Sequence, residues 1–239
     1  MTEKNVLLNS DVSEENALPN TRVFLVDTDK IELEEALLKF SRFISPTRMK
    51  KIARLAHLDD KKRSLGAELA LCLALKSFSL PFFPPKYFYN LLGKPLLSED
   101  KLNINISHSG TVAVCAASTL PVGVDILESD AYTTGRAYRR IVSSADSTPA
   151  SNRELLALWT KKESYVKLIG SGLRTPMTSF AVIGDMVASK IGCPPAHITF
   201  SEIKEYFLSL ASYEKITPEY FFFDANNIDS LLEENGHQK

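Results

Sequence analysis

Charged side chains that could do chemistry lie on a helix predicted for residues 154–170, ELLALWTKKESYVKLIG. Glu163 and Lys167 are four residues apart along one edge of its apolar stripe, a spacing that on its own indicates a surface ion pair worth roughly 0.3–0.5 kcal/mol. Lys162 falls within the apolar stripe itself. An ammonium group there must either extend to solvent or bind an anion, and a phosphate group would serve.

Asp125 is the charged exception in a strand-like segment, PVGVDIL at 121–127. Apolar residues alternate with it, so an exposed strand face would account for a lone aspartate. A second interpretation pairs Asp125 with Glu163, because two carboxylates from different elements are the minimal protein contribution to a Mg²⁺ site. Since no His or Cys accompanies them, such a site would suit Mg²⁺ or Mn²⁺ and not zinc.

Other polar residues could bind a ligand or simply face water. His108 follows Ser107 at the end of a strand, where it is either a turn histidine or part of a site. A basic cluster comprises Arg48, Lys50, Lys51, Arg54, Lys61, Lys62 and Arg63. Most of it is expected to be a solvated helix face, and a subset could hold phosphate. The chain has no GxSxG, GxxxxGK(S/T) or strand-linked GxGxxG pattern, which argues against a hydrolase elbow and ordinary nucleotide-binding loops.

The composition is that of an ordinary globular protein. The 239 residues include 28 basic and 29 acidic side chains, a formal net charge of −1, and 44% hydrophobic residues. This balance lacks the positive charge typical of nucleic-acid binders, so no nucleic-acid partner is expected. No run of ~20 apolar residues occurs, which predicts no membrane-spanning helix and no membrane partner. Three cysteines, Cys72, Cys115 and Cys193, form no CxxC pair and indicate buried thiols in a cytoplasmic protein.

Short helices and strands must position these residues. The predicted elements are a strand at 21–28, helices at 31–40, from Pro46 and from about Asp59, strand-like segments at 102–107, 111–117 and 121–127, the helix with Glu163, and mainly strands over 178–225. Ser45 and Pro46 are a typical helix start, and Gly170 is a typical helix end. The three central segments favour an antiparallel meander. Helices followed by strands on both sides of it predict two α+β halves, with a polar tail from Asp229.

Four motifs follow one another along the chain. They are Gly93-Lys94-Pro95, Asn105-Ile106-Ser107-His108-Ser109-Gly110, Gly123-Val124-Asp125-Ile126, and Trp159-Thr160-Lys161-Lys162-Glu163-Ser164 with Lys167 and Gly170-Ser171-Gly172-Leu173. Through these motifs the chain resembles the 4′-phosphopantetheinyl transferases, of the larger two-lobed type that activates peptide and polyketide synthetases (Sfp-type). The stretch from Ser45-Pro46 to Arg63-Ser64 also matches that type, and the resemblance covers about residues 45–185.

The resemblance implies both a fold and an activity. The fold would be α+β, with two similar α+β lobes in pseudo-twofold arrangement and the active site in the cleft between them. We expect an N-terminal lobe over 1–120 and a C-terminal lobe with the polar tail over 121–239. The implied reaction transfers the phosphopantetheine arm of coenzyme A to a serine of an apo acyl or peptidyl carrier protein and releases 3′,5′-ADP, with Mg²⁺ (or Mn²⁺) as cofactor. Because both lobes lie in one chain, a monomer would be sufficient.

The resemblance also implies roles for individual residues. Asp125 and Glu163 would be the metal ligands, and Glu163, directly or through a water, would be the base that accepts the serine proton. Together with Lys167 they form the expected catalytic set. The expected ligands of coenzyme A are Lys162 and Lys167 at the diphosphate, Arg48, Lys51, Arg63 and His108 at the 3′-phosphate, and Lys94, Pro95 and Ser107 along the nucleotide.

The sequence departs from the family pattern at two positions. Many relatives carry Glu two residues after the motif aspartate, where this chain has Leu127, and we expect water to fill that coordination position. The acid usually found in the segment after the first lobe is Asp146 here, one methylene shorter. A non-catalytic module that binds coenzyme A or a carrier protein therefore stays an alternative to the enzyme.

Overall fold

The computed structural model describes residues 21–97, 102–188 and 193–233. Its helices are α1 (Leu33–Lys39), α2 (Pro46–Arg54), α3 (Leu58–Ser77), α4 (Gly135–Ile141), α5 (Asn152–Ile169) and α6 (Ile228–Glu233). Its strands are β1 (Thr21–Asp27), β2 (Tyr87–Tyr89), β3 (Pro95–Leu97), β4 (Asn103–Ser109), β5 (Val112–Ser118), β6 (Val122–Glu128), β7 (Val182–Ile183), β8 (Met186–Val187), β9 (Ala196–Ile203), β10 (Tyr206–Ser212) and β11 (Pro218–Asp224). Within these ranges no helix has the length and apolar character that crossing a membrane requires.

The first sheet has the strand order β11-β1-β5-β4. β1 pairs in parallel with β11 and antiparallel with β5, and β5 pairs antiparallel with β4. Helix α3 packs across β1 and β5, and α1, α2 and α6 cover its other sides. Every residue of α3 from Ser64 to Leu75 is therefore buried, which explains why this part of the helix is apolar nearly all round.

The second sheet has the order β6-β10-β9-β8-β7, and helix α5 packs across β6 and β10. Gly123 in β6 permits this packing. A Cβ atom at Gly123 would come within 2.1 Å of the Ser164 carbonyl oxygen and 2.4 Å of the Leu168 backbone nitrogen. Only a residue without a side chain lets the helix that carries Glu163 lie directly against the strand that carries Asp125.

The predicted ends of two helices are confirmed. Ser45 Oγ accepts a hydrogen bond from the Arg48 backbone N–H at 3.2 Å, and Pro46 is the first residue of α2. Gly170 follows α5 in the left-handed conformation, with φ of 68°. Both signals are local in the chain, so they can be read from the sequence without knowledge of the tertiary structure.

The prediction of a meander is wrong for its third strand. β4 and β5 pair antiparallel, but β6 pairs with β10 in the second sheet. β5 already has β1 and β4 along its two edges, so no edge is left for β6. Instead β6 lies beside β4, where Asn105 Oδ1 accepts from the Val124 N–H at 2.9 Å and Ser109 Oγ accepts from the Glu128 N–H at 3.1 Å. The two sheets meet along this seam between β4 and β6.

The C-terminal part of the chain returns to the first sheet, which the predicted division at residue 120 does not include. β11 pairs with β1, and Ala225, Ile228 and Leu232 belong to the same apolar core as α3. The predicted polar tail from Asp229 is corrected accordingly, because its first residues are part of α6. The rest of that tail, 234–239, and residues 1–20 lie outside the described residues. The described chain has an α+β fold in which each of the two larger sheets carries one long helix.

Candidate active site

A cleft of about 650 Å³ opens beside the seam between β4 and β6. The expected site residues that line it are Arg48, Lys51, Pro95, Ser107, His108, Asp125, Glu163 and Lys167. They come from α2, β3 and β4 on one side and from β6 and α5 on the other. Residues that are up to 119 positions apart in the sequence (from 48 to 167) therefore line the same cleft.

Asp125 is held in place from two sides. Its side chain is largely buried, and Oδ1 accepts hydrogen bonds from Ser107 Oγ at 2.8 Å and from Lys167 Nζ at 2.6 Å. Lys167 Nζ also donates to Ser107 Oγ at 2.6 Å. Because β4, β6 and α5 each contribute one member, this triangle fixes the carboxylate and places a positive charge beside it.

Glu163 faces the same cleft, one helical turn before Lys167. Burial raises the pKa of the Glu163 carboxyl above its usual value, and the negative charge of Asp125 raises it further. Trp159 Nε1 donates a weak hydrogen bond to Glu163 Oε1 at 3.4 Å, which together with Lys167 opposes that rise. A carboxylate with a raised pKa is a stronger proton acceptor than an exposed one.

The oxygen donors of the cleft fit a hard divalent cation. Asp125 and Glu163 both line the cleft, and after burial the negative charge of Asp125 is the second cause that raises the pKa of Glu163. The described residues contain no group of three or more His, Cys, Asp or Glu side chains that could hold a metal. Leu127 lines the cleft where a further acid would be expected. Since Mg²⁺ keeps several waters and often binds through one or two carboxylates, this pair suits it.

Another part of the cleft is basic. Partial desolvation lowers the pKa of His108, and the positive charges of Arg63, Lys167 and Lys51 lower it further. These like charges disfavour the imidazolium form. An anionic ligand among them would reverse the effect, because it would stabilise every one of these cations. The surroundings of His108 therefore suit a phosphate group.

Arg48 borders the cleft but also neutralises a buried acid. Arg48 Nε lies 2.9 Å from Glu68 Oε2, and the two side chains are 3% and 0% exposed. Glu68 also accepts from the Ser45 N–H at 2.9 Å and from the Tyr87 hydroxyl at 2.8 Å. Leaving a buried carboxylate without a counter-charge is costly. Arg48 is therefore only partly available to a ligand.

Arg63 and Lys94, two expected ligands of coenzyme A, lie beside the cleft and are not part of its wall. Arg63 donates to the Gly110 carbonyl at 2.7 Å and pairs with Asp60 at 2.6 Å. Lys94 Nζ donates to the Leu168 carbonyl at 3.2 Å. These contacts hold both side chains beside the cleft.

The structure contradicts the expectation that Lys162 faces the diphosphate. Lys162 is 0% exposed, and its Nζ lies 2.5 Å from Asp146 Oδ2. The ammonium also donates to the carbonyl oxygens of Ile141, Met177 and Phe180, each at 2.9 Å. The anion that binds the Lys162 ammonium within the apolar stripe is thus a carboxylate of the protein itself. This contact also shows what Asp146 does in the fold. Its carboxylate binds Lys162 on α5 and does not line the cleft.

Sequence reasoning missed three residues that shape the site: Trp159, Glu68 and Asp60. Trp159 precedes Glu163 by one helical turn, and this spacing could have suggested their contact. Glu68 is a lone acid in an apolar stretch of α3, a signal that a buried cation is needed. Asp60 lines the cleft and holds Arg63, but the neighbouring charges at the start of α3 hide it in the sequence.

Comparisons with known proteins point to one family. A family model described as the 4′-phosphopantetheinyl transferase superfamily matches residues 121–210, which include β6 and α5. The chain is 28% identical over 170 residues to 4′-phosphopantetheinyl transferase Sfp of Bacillus subtilis (strain 168), with 67% of this chain and 75% of that protein covered. It is 31% identical over 159 residues to 4′-phosphopantetheinyl transferase gsp of Aneurinibacillus migulanus, covering 62% and 66%. A further 4′-phosphopantetheinyl transferase of Bacillus subtilis is 29% identical over 184 residues, covering 71% and 82%.

The matched stretch contains Asp125, Glu163 and Lys167, the three residues that the structure gathers on the cleft wall. The similarity to the relatives extends over most of the chain and not over a single motif. This chain therefore belongs to the 4′-phosphopantetheinyl transferase superfamily and is an enzyme of the Sfp type.

Proposed function

We propose that the enzyme transfers the 4′-phosphopantetheine arm of coenzyme A to a serine of an apo carrier protein, in a Mg²⁺-dependent reaction that releases 3′,5′-ADP. The observation that carries the proposal is one cleft with two kinds of charge. Asp125 and Glu163 offer oxygens for a cation, while Lys51, His108 and Lys167 offer nitrogens for phosphates. Attack of a hydroxyl group on a diphosphate requires both, because such reactions depend mainly on positioning and electrostatic stabilisation.

Basic and small residues of the cleft would bind coenzyme A. Lys51 and His108 would face its 3′-phosphate, and Pro95 and Ser107 would flank the nucleotide. Lys167 would face the diphosphate, where its ammonium could leave Ser107 and contact a phosphate oxygen. The cleft lies in a single chain, which supports activity as a monomer, and the three buried free thiols support a cytoplasmic protein.

Two carboxylates would bind the cation, and one of them would also accept the proton of the carrier serine. Asp125 and Glu163 would bind Mg²⁺, which when present supplies positive charge to the diphosphate. Lys167 would stabilise the charge that moves onto the leaving 3′,5′-ADP. Glu163 would accept the proton of the carrier serine, directly or through a water. Ser107 keeps Asp125 oriented throughout.

The test is a mass measurement on the carrier. The purified protein is incubated with coenzyme A, Mg²⁺ and a panel of apo carrier proteins. We expect a gain of about 340 Da, one phosphopantetheine arm, on the accepted carrier, together with an equal amount of 3′,5′-ADP. Asp125→Ala should abolish the gain, since it removes a metal ligand and the partner of Lys167.

Asp130→Ala is the matched control, because this exposed acid follows the same strand and does not line the cleft. It should retain the mass gain. Binding of coenzyme A without any gain on the whole panel would favour the alternative, a non-catalytic binding module. A gain that persists after removal of divalent cations would contradict the Mg²⁺ dependence and leave the transfer itself intact.

A further inference from the structure

Helix α2 has a basic face on which only Lys51 has been given a role above. Thr47, Lys50, Lys51 and Arg54 are spaced by three and four residues, so they lie on one side of the helix. The opposite side carries Arg48 and Ile52, which are buried. The helix therefore separates its cations: one is directed inward to Glu68, and the other three face outward.

This basic face lines a cavity of its own. The cavity has a volume of about 370 Å³, and its walls are Thr47, Lys50, Lys51, Arg54, Leu55 and Tyr89. Lys51, Leu55 and Tyr89 also line the larger cleft, so the cavity and the cleft share part of their walls. No acidic side chain is among the lining residues, and the ion pairs between described residues do not include Lys50, Lys51 or Arg54.

Two of the residues expected at the 3′-phosphate, Arg48 and Arg63, are less available than the cations of this cavity. Arg48 neutralises the buried Glu68, and Arg63 is held by Asp60 and the Gly110 carbonyl. Desolvation lowers the pKa of Lys51, and the positive charge of Arg48 lowers it further, while the charge of Glu68 opposes this. Lys50, Lys51 and Arg54 add to the crowding of positive charge here, since all three line one cavity. An anion would relieve that crowding. A phosphate monoester, with two negative charges and three oxygens, is complementary to two lysines, an arginine and a hydroxyl group.

We propose that Lys50 and Arg54, together with Lys51, bind the 3′-phosphate of coenzyme A and make the enzyme select coenzyme A over dephospho-coenzyme A. The inference rests on the proposed function, which supplies coenzyme A as the ligand. It adds two specificity-determining residues that the resemblance does not assign. The 3′-phosphate then lies at the junction of the two cavities, with Lys51 between them and His108 on the cleft side.

Binding of two ligands that differ in one phosphate group tests the proposal. Coenzyme A and dephospho-coenzyme A are titrated by calorimetry into the wild type and into the double variant Lys50→Ala/Arg54→Ala. We expect the wild type to prefer coenzyme A at least tenfold, and the double variant to lose about tenfold or more of its affinity for coenzyme A. Its affinity for dephospho-coenzyme A should change less than about twofold, because that ligand has no group at this place. The substituted residues are exposed, so the fold should be retained.

Arg139→Ala/Arg140→Ala is the matched control, since it removes two exposed arginines from another helix, α4. It should leave both affinities unchanged. An equal loss for both ligands, no loss for either, or a loss confined to the KM for the carrier would each overturn the proposal. A wild type that binds coenzyme A with the expected preference but modifies no carrier would contradict the proposed transfer and leave this assignment standing.

Discussion

The residue at position 127, a leucine, determines how many carboxylates line the proposed cation site. It lies two residues after Asp125 on β6, so both side chains point to the same face of the sheet, and both line the cleft. Glu128 points to the other face, and the pairing of β6 with β10 is regular, without a bulge that would turn it. At the proposed Mg²⁺ site the protein would thus offer two carboxylates, Asp125 and Glu163, and would leave the remaining coordination positions to water and substrate.

Replacing Leu127 with glutamate should therefore increase the affinity for a divalent cation. We expect Leu127→Glu to bind Mg²⁺ about tenfold more tightly than the wild type, because a third negative oxygen ligand would replace a water. Leu127→Gln is the control of equal size and should give a smaller gain, since an amide oxygen lacks the charge. Calorimetric titration with Mg²⁺ or Mn²⁺ measures the change without any need for activity. Loss of both cation affinity and transfer activity in Leu127→Glu would contradict the proposal that a water occupies this coordination position.

Single residues also show how far sequence reasoning reaches. The types and order of Asp125, Glu163 and Lys167 are visible in the chain, and the structure gathers them in one cleft. The surroundings of Lys162 could not be predicted, although the need for an anion could. Its partner Asp146 lies on a loop, and three carbonyl oxygens from two other segments complete the contact. Which anion satisfies a buried lysine depends on tertiary packing and not on local pattern.

At the scale of elements, the Lys162–Asp146 pair ties three segments to α5. Lys162 contacts the end of α4 through the Ile141 carbonyl and the stretch before β7 through Met177 and Phe180. Asp146 Oδ1 also accepts from the Val182 N–H at 2.8 Å. Since Glu163 follows Lys162 directly, these contacts also fix the part of α5 that places Glu163 in the cleft.

Lys162→Met should destabilise the fold by about 3–5 kcal/mol, because it leaves the buried Asp146 carboxylate without its counter-charge. Lys161→Met is the matched control. Lys161 pairs at 3.5 Å with Asp185, whose side chain is 77% exposed, so its loss should cost less than about 1 kcal/mol. The free energy of unfolding from urea denaturation compares the two variants. If Lys162→Met were as stable as the wild type but bound coenzyme A weakly, the lysine would contact the diphosphate after all.

Elements differ in how well the sequence predicts them. The start of α2 at Ser45-Pro46 and the end of α5 at Gly170 depend on adjacent residues, and both predictions are confirmed. The partner of β6 depends on which strand edges are already occupied. That information is spread over the whole chain, because β1 reaches β5 from about ninety positions away. For the same reason the pairing of β11 with β1 could not be predicted from the sequence.

At the scale of the whole molecule, the seam between β4 and β6 takes the place of a continuous sheet. Alternate residues of β4, Asn105, Ser107 and Ser109, are directed towards β6, and each makes one hydrogen bond to it. Polar and apolar residues alternate along β4, which is a strand pattern. Its polar side does not face water, however, since Asn105 is 3% exposed. One of the side chains that join the two sheets, Ser107, also holds Asp125 in the cleft.

Asn105→Ala should therefore weaken the whole molecule and not a single strand. It leaves the Val124 N–H without its partner in a buried seam, which should lower the free energy of unfolding by about 1–3 kcal/mol. Asn103→Ala on the same strand is the control. Asn103 bonds the Thr119 carbonyl at 3.3 Å near the surface, so its loss should cost within about 0.5 kcal/mol. Equal costs for the two variants in urea denaturation would mean that the seam contributes little to joining the sheets.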